Sequence, residues 1–168
     1  MGHQEHRADA PKSLHLAVMS VSTTRTLETD ESGRWIAQRA VREGHEVVHH
    51  VVVPDDTQAI RQAVTHLLAD LAPHAVIITG GTGISPQDVT IEAVKPLFAK
   101  ELSAFGILFT QLSFEEIDSA AILSRATAGV IGRSIVFCIP GSIKACRLAC
   151  KNLIFPELGH LIRHCRGN

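Results

Sequence analysis

A run of closely spaced glycines is the feature of this sequence best suited to binding phosphate. Three of the four residues in Gly80-Gly81-Thr82-Gly83 are glycine, so their backbone N–H groups can turn toward an anion unobstructed. We expect a helix to begin at Ser85-Pro86, with the positive end of its dipole beside the same anion. The run has neither the third glycine of a dinucleotide fingerprint, where Pro86 stands, nor the Gly-Lys of a Walker loop. A tight turn without a ligand is therefore the alternative interpretation.

Two carboxylates are expected near this loop. Asp55 follows Pro54, and Asp88 comes three residues after Ser85. Each alone has an ordinary explanation, because aspartate is a common cap at the start of a helix. Together, beside bound phosphate, two carboxylates would repel the ligand unless a divalent cation lay between them. We therefore predict that Asp55 and Asp88 hold a Mg²⁺ ion that bridges nucleotide phosphates.

Other reactive residues fit a catalytic or metal site less well. Ser142 lies outside any Gly-x-Ser-x-Gly motif, so we interpret it as a helix cap. His49 and His50 are adjacent in an expected strand and must point to opposite faces. His3 and His6 belong to a polar tail, where weak adventitious metal binding is the most we expect.

The four cysteines are concentrated in the last third of the chain, unlike the even spread of a disulfide scaffold. We expect all of them to be reduced thiols: Cys138, Cys146, Cys150 and Cys165. Cys146 and Cys150 could share one helix face. A metal site there is one interpretation, and burial as small apolar side chains is the other.

Strands and helices that alternate along the chain would position these groups. Apolar, β-branched segments predict strands at 14–21, 46–53, 75–79 and 134–139. Apolar residues at helical spacing predict helices at 32–43, 57–71, 85–97 with a kink at Pro96, 142–153 and 158–164. Between residues 101 and 127 the pattern is weaker, with a strand-like segment at 106–112 and a helix-like segment at 119–127.

This alternation predicts an α/β fold, a doubly wound and mostly parallel sheet covered by helices on both faces. Ligands of such folds bind beyond the carboxyl ends of the strands. The residues at those ends are Asp55, the glycine loop and Pro140-Gly141-Ser142.

The composition excludes several classes of protein. Sixteen Lys and Arg residues against 17 Asp and Glu residues give a net charge of −1, which does not favour capture of nucleic acid. No apolar run approaches the roughly 18 residues of a membrane span. We predict a cytoplasmic protein that binds neither nucleic acid nor membranes. A disordered polar tail is expected at residues 1–12 and a single domain at 13–168.

Several ordered motifs resemble one family. They are ThrGlyGlyThrGly at 79–83, Asp88-Val89-Thr90, Ser113-Phe114-Glu115-Glu116, Leu123-Ser124-Arg125-Ala126 and Pro140-Gly141-Ser142. Together with the VVVPDD segment and the PELGH ending, they resemble the MoaB/MogA family of molybdenum cofactor biosynthesis, with the ending and the SFEE segment closer to MoaB. This resemblance covers residues 14–164. It implies a three-layer αβα fold and Mg²⁺-dependent adenylylation of molybdopterin by ATP, with release of pyrophosphate.

The resemblance also implies a role for each site residue. Asp55 and Asp88 would be the catalytic and metal-binding carboxylates, and the glycine loop with Ser85 would bind the nucleotide phosphates. The implied contacts to the pterin or its terminal phosphate are Ser113, Ser124, Arg125, Pro140, Gly141, Ser142 and Lys144. Arg125 is the most suitable phosphate ligand among them, because its planar guanidinium can bind two oxygens at once.

Two positions depart from the family pattern. Thr23 stands where the family commonly has Asp, and Gln87 stands where it often has Arg. Either change could weaken anion or metal handling, and some MoaB members are thought to lack the transferase activity. A non-catalytic molybdopterin carrier or scaffold is therefore the alternative function. The resemblance implies a trimer or, closer to MoaB, a hexamer, and partners among the other proteins of the cofactor pathway.

Overall fold

Six strands form one mixed sheet in the order β2-β1-β3-β6-β5-β4. The computed structural model describes residues 13–167. The strands are β1 (His15–Val21), β2 (Glu46–Val53), β3 (Ala75–Thr79), β4 (Lys100–Glu101), β5 (Thr127–Ile131) and β6 (Ser134–Ile139). Strands β2, β1, β3 and β6 are mutually parallel, whereas β5 and β4 are joined in antiparallel pairs. The carboxyl ends of the four parallel strands therefore meet at one edge.

Helices cover both faces of this sheet. They are α1 (Glu31–Arg42), α2 (Thr57–Leu71), α3 (Thr90–Val94), α4 (Ser103–Ile117), α5 (Ile143–Ala149) and α6 (Phe155–Arg166). The side chains of β1 show the two layers by their alternation. Leu16 and Val18 pack with α1, α4, α5 and α6, while Ala17 and Met19 pack with α2 and α3. The predicted three-layer αβα fold is confirmed, and with it the four predicted strands, β1, β2, β3 and β6.

The segment at 106–112 is helical, so the prediction of a strand there is wrong. It forms the middle of α4, where Phe105 and Phe109 are buried while Ile107 and Leu108, on the other side, are exposed. A helix that is apolar on nearly every side lacks the 3.6-residue alternation by which a sequence reveals a helix.

The helix expected at 119–127 is also wrong. The chain forms a 3-10 turn over Asp118–Leu123 and then enters β5, with Asp118 in the left-handed region at φ 50°. Gly129, just beyond the segment expected to be helical, lies within β5. A Cβ at that position would collide with the ring of Phe98, so this glycine allows close packing between elements.

The helix predicted to begin at Ser85-Pro86 begins instead at Thr90, after a turn closed by the Asp88 N–H and the Ser85 carbonyl at 2.9 Å. Pro96 divides the segment as expected, because α3 gives way there to a 3-10 helix over Lys95–Leu97. At the other end of the chain, α5 and α6 are joined by a π-helical segment, Cys150–Ile154. The last helix thus starts before Pro156 rather than after it.

All four cysteines are free thiols, as predicted, and Cys146 and Cys150 are fully buried in the core. The predicted tail at residues 1–12 lies outside the described residues. Among residues 13–167, no helix is long and apolar enough to cross a lipid bilayer.

Candidate phosphate and metal site

The glycine loop leaves β3 between the ends of β1 and β6. Gly80 donates its N–H to the Ile139 carbonyl at 3.0 Å and has a φ of 99°, which side chains rarely adopt. A Cβ on Gly80 would lie 2.4 Å from the carbonyl oxygen of Val21. Only glycine therefore allows the chain to turn at this position, between the ends of β1 and β6.

Thr90, at the start of α3, holds the first half of the loop in place. Its hydroxyl donates to the Gly80 carbonyl at 2.8 Å, and its N–H donates to the Gly81 carbonyl at 2.9 Å. With both carbonyls turned toward α3, the N–H groups of Gly81, Thr82 and Gly83 find no acceptor among residues 13–167. These donors are what an anion would require.

Asp55 is held against this loop by Thr23. The Thr23 N–H and hydroxyl both donate to Asp55 Oδ2, at 2.7 and 2.9 Å, and the Asp55 N–H donates to Thr23 Oγ1 at 3.2 Å. Asp55 Oδ1 faces Gly81, because a Cβ on that glycine would lie 3.3 Å from it. One carboxylate oxygen is thus fixed, and the other receives no hydrogen bond from the described residues.

Asp56, and not Asp55, caps the following helix. Its carboxylate accepts the Ala59 N–H at 2.8 Å as the N-cap of α2. The structural explanation offered for Asp55 from sequence therefore does not apply, because the neighbouring residue performs that task.

Asp88 lies against Gly83, the last glycine of the loop. Its Oδ2 accepts the Ser85 N–H at 2.9 Å, and a Cβ on Gly83 would lie 2.6 Å from the same oxygen. The bond to Ser85 is the one expected of a capping box, but it closes a turn and not a helix. Asp55 therefore lies against Gly81 and Asp88 against Gly83, and these two glycines are two residues apart in the same loop.

The two carboxylates are suited to holding a Mg²⁺ ion to which nucleotide phosphates could also bind. Each has one oxygen fixed by backbone or hydroxyl donors and a second oxygen, Oδ1, without such a partner in the described chain. Mg²⁺ prefers oxygen ligands and commonly takes only one or two carboxylates, with water and phosphate oxygens completing its shell. Within residues 13–167 no group of three or more His, Cys, Asp or Glu residues could enclose a metal alone.

Pro140-Gly141-Ser142 brings a second backbone segment to the loop. A Cβ on Gly141 would lie 3.1 Å from the Cα of Gly80, so the two segments are in contact. Ser32 on α1 fixes this turn by donating its hydroxyl to the Gly141 carbonyl at 2.8 Å. Ser142 caps α5, as predicted, by accepting the Ala145 N–H at 3.2 Å.

A buried aspartate fixes the start of α1 behind this turn. Asp30 is fully buried and accepts hydrogen bonds from the Ser20 hydroxyl at 2.5 Å, the Gly33 N–H at 3.0 Å and His50 Nε2 at 2.9 Å. Burial by itself raises the pKa of Asp30, but these hydrogen bonds and the charge of His50 outweigh it, so the pKa is lowered overall. Sequence analysis missed Asp30. The Asp-x-Ser that opens the helix was its only signal.

Two other residues predicted to contact the pterin line a cavity to which no residue of the glycine loop contributes. Ser124 and Arg125 line a cavity of about 650 Å³ between α3, α4 and the 3-10 turn. Arg125 forms an ion pair there with Glu92 of α3. Anion binding by this guanidinium would therefore compete with a carboxylate that already neutralises it.

Ser113 and Lys144 belong neither to the glycine loop nor to the cavity lined by Ser124 and Arg125. Ser113 is 4% exposed, and its hydroxyl donates to the Phe109 carbonyl at 2.8 Å within α4. Lys144 is exposed and lines a groove with Glu116 and Arg147. Of the predicted site residues, the structure thus brings together the two aspartates, the glycine loop and Pro140-Gly141-Ser142.

Comparisons with known proteins agree with this architecture. The family described as "Probable molybdopterin binding domain" matches residues 17–160. Molybdenum cofactor biosynthesis protein B of Bacillus subtilis is 47% identical over 167 residues, which cover 99% of this chain and 98% of that protein. The chain belongs to the MoaB/MogA family of molybdenum cofactor biosynthesis proteins. The protein of the same name from Escherichia coli K12 is 42% identical over 89% of this chain and 88% of its own.

Solved structures of family members share the fold. A crystal structure of Molybdenum cofactor biosynthesis protein B has a TM-score of 0.91 at 44% identity and covers 95% of this chain and 99% of its own. The tungsten cofactor synthesizing protein MoaB of Pyrococcus furiosus has a TM-score of 0.81 at 37% identity, with coverage of 94% and 99%. The resemblance drawn from the motifs is thereby confirmed at the level of the family.

Proposed function

We propose that this MoaB-family chain catalyses the Mg²⁺-dependent adenylylation of molybdopterin by ATP. The observation that supports the proposal is the loop Gly80–Gly83: its N–H groups at residues 81–83 have no acceptor among residues 13–167, and Asp55 and Asp88 each lie against one of its glycines. Both substrates are polyanions, and this edge of the sheet offers backbone donors for phosphate oxygens and carboxylates for a cation. Asp55 and Asp88 would hold Mg²⁺, which when bound neutralises charge on the phosphates.

The reaction requires little covalent chemistry from the protein. The terminal phosphate of molybdopterin attacks the α-phosphorus of ATP, a new phosphorus–oxygen bond forms, and pyrophosphate leaves. The N–H groups of Gly81, Thr82 and Gly83 donate to the phosphate oxygens, and Thr23 and Thr90 keep carboxylate and loop rigid. Fixing two anionic substrates in line supplies most of the rate enhancement in such a scheme.

Thr23 is compatible with the proposed activity. The family commonly has Asp at this position, but Thr23 offers a hydroxyl and an N–H that both orient Asp55. A carboxylate that is oriented without a second negative charge keeps one oxygen available for a cation. This contact favours the enzyme over the non-catalytic carrier.

Incubation of the purified chain with ATP, Mg²⁺ and molybdopterin tests the proposal. The expected products are adenylylated molybdopterin and pyrophosphate in equal amounts, with no product when Mg²⁺ is omitted. Calorimetric titration with each substrate distinguishes the enzyme from the non-catalytic carrier. A carrier would bind molybdopterin but would not bind ATP in a Mg²⁺-dependent manner. That second pattern, without turnover, would overturn the proposed enzyme.

We also propose that the protein acts in the cytoplasm, where ATP is available and thiols stay reduced, among the other proteins of the cofactor pathway. A homo-oligomer, hexamer or trimer, remains our prediction. Exposed apolar side chains on α4, namely Ile107, Leu108, Phe114 and Ile117, support subunit association. Light scattering of the purified protein would measure its mass, and a monomer would contradict the prediction.

A further inference from the structure

A cluster of polar side chains holds the start of α1 against the sheet. Besides the Gly33 N–H, Asp30 accepts hydrogen bonds from Ser20 of β1 and His50 of β2. Ser20 and Asp30 are buried, and His50 is partly exposed. A Cβ on Gly33 would lie 2.5 Å from both His50 Nε2 and Ser20 Oγ. Only glycine at position 33 therefore leaves room for the three side chains to meet.

The bonds from Ser20 and His50 are additional to what a helix cap requires. An N-cap needs one bond from an N–H of the first turn to its side chain, and Gly33 supplies that bond. Ser20 and His50 add bonds from two neighbouring parallel strands. Turning the Asp30 carboxylate would break these bonds and leave buried polar groups without partners. The first turn of α1 is thereby fixed relative to β1 and β2.

Ser32, in this first turn, connects α1 to the turn that follows β6. Its side chain is buried, and its hydroxyl donates to the Gly141 carbonyl at 2.8 Å, across 109 residues of sequence. Ser32 comes two residues after Asp30, the N-cap, so its position depends on the orientation of that cap. The Asp30 cluster therefore determines where the Ser32 hydroxyl lies.

The turn after β6 is held by two hydroxyl groups and contacts the glycine loop. Thr79 Oγ1 donates to the Pro140 carbonyl at 3.0 Å, and Ser32 donates to the next carbonyl along the chain. A Cβ on Gly141 would lie 3.1 Å from the Cα of Gly80, so a shift of the turn toward the loop must move Gly80 as well. The hydrogen bond from Ser32 therefore helps to fix the first residue of the glycine loop.

We propose that Ser32 is a positioning residue of the glycine loop, and that Asp30 and His50 act through it. Without the Ser32 hydroxyl, the Gly141 carbonyl would lose its hydrogen bond from α1. The N–H groups that follow Gly80 would then be less firmly placed when phosphate binds. The consequence for the reaction rests on the proposed adenylylation, because misplaced phosphate donors slow the transfer. The consequence for the loop itself does not depend on that function.

Ser32→Ala, with Ser134→Ala as the matched control, tests the inference. Ser134 is also buried and donates its hydroxyl to a distant backbone carbonyl, that of Pro73 at 2.5 Å. It lies at the start of β6, at the opposite end of that strand from the glycine loop. Both variants thus lose a buried hydrogen bond of the same kind. Hydrogen exchange of the Gly80 N–H, which donates to the Ile139 carbonyl at 3.0 Å, measures how firmly the loop is held.

We expect Ser32→Ala to speed exchange of the Gly80 N–H about tenfold relative to the amides of β1, whereas Ser134→Ala should leave that ratio unchanged. Comparison with β1 removes the effect of global unfolding. In an active parent, Ser32→Ala should also lower kcat about tenfold, and Ser134→Ala should keep the parent kcat. A residue that only stabilised the fold would not change kcat in molecules that remain folded.

His50 offers a second pair of variants, further from the loop. His50→Ala removes a donor from Asp30 and should change the exchange ratio and kcat in the same direction as Ser32→Ala, by a smaller factor. His50→Gln should restore both values, because a glutamine side-chain amide can replace the Nε2 donor. Equal values for His50→Ala and His50→Gln would overturn the part assigned to His50.

Equal exchange ratios for Ser32→Ala and Ser134→Ala would overturn the inference, as would equal kcat values for these two variants in an active parent. A parent that forms no adenylylated molybdopterin would instead overturn the proposed function. The exchange measurement would still decide whether Ser32 holds the loop, because it requires no substrate.

Discussion

The substitution Gly81→Ala tests whether position 81 requires glycine because of the atoms around it, and not only because of its positive φ. Gly81 has a φ of 64°, and a Cβ there would lie 2.4 Å from Thr90 Oγ1 and 3.3 Å from Asp55 Oδ1. Gly132, in the turn between β5 and β6, has nearly the same φ, 60°, but nothing lies within 4 Å of its Cβ position. The two glycines thus differ in surroundings and hardly at all in conformation.

Both substitutions by alanine should pay the cost of a left-handed residue, about 1–2 kcal/mol of unfolding free energy. Gly81→Ala should lose about 1–3 kcal/mol more, because Thr90 must shift and give up its hydrogen bond to Gly80. The displaced loop should also reduce the rate of adenylylation about 100-fold, whereas Gly132→Ala should retain it.

Urea unfolding, followed by circular dichroism, measures the free energy of unfolding, and pyrophosphate release measures the rate. The difference between the two variants isolates the effect of the crowded site from that of the backbone. If Gly81→Ala matched Gly132→Ala in both stability and rate, the reasoning about the loop would be refuted.

Three further results follow from the contacts of the site and core. Thr23→Val removes the hydroxyl that orients Asp55 and should lower the adenylylation rate about 10–100-fold, with Thr23→Ser restoring most of it; equal rates would exclude this role. Asp30→Asn should cost about 2–3 kcal/mol at pH 7, measured by urea unfolding. Because the folded pKa of Asp30 is lowered, its contribution is complete above the unfolded value near 3.8 and disappears as the pH falls through the folded value. The variant should therefore lose less stability than the parent between neutral and strongly acidic pH, and parallel curves would contradict this. Burial raises the pKa of all four thiols, but only Cys165 is partly exposed, so a thiol reagent at pH 8 should modify Cys165 alone before unfolding and all four cysteines after it.

The parallel core of the fold could be predicted because its signals are local. Strands β1, β3 and β6 are continuous apolar runs, which a sheet covered on both faces requires. Strand β5 was not predicted because it contains Gly129, a residue uncommon inside strands, which here allows close contact with Phe98 of another segment. Helix α4 escaped because apolar residues on its exposed side conceal its period.

The site could be predicted in part for the same reason. The glycine loop and Asp88 are neighbours in sequence, and Asp55 follows a recognisable strand. The partners that hold them are distant in sequence. Thr23 contacts Asp55 across 32 residues, and Ser32 reaches Gly141 across 109. No pattern in a single sequence identifies such pairs, because they depend on which strands become neighbours.

The central claim is that Asp55 and Asp88 act together at the glycine loop, and charge-removing substitutions test it most directly. Rates of Mg²⁺-dependent pyrophosphate release should be compared for Asp55→Asn, Asp88→Asn and Asp56→Asn. Asp56 is the matched control, since it adjoins Asp55 but only caps α2, and asparagine is an equally good cap. We predict that Asp56→Asn keeps the parent rate and that each of the other two variants abolishes turnover while remaining folded. Turnover by Asp55→Asn or Asp88→Asn at the rate of Asp56→Asn would contradict the claim.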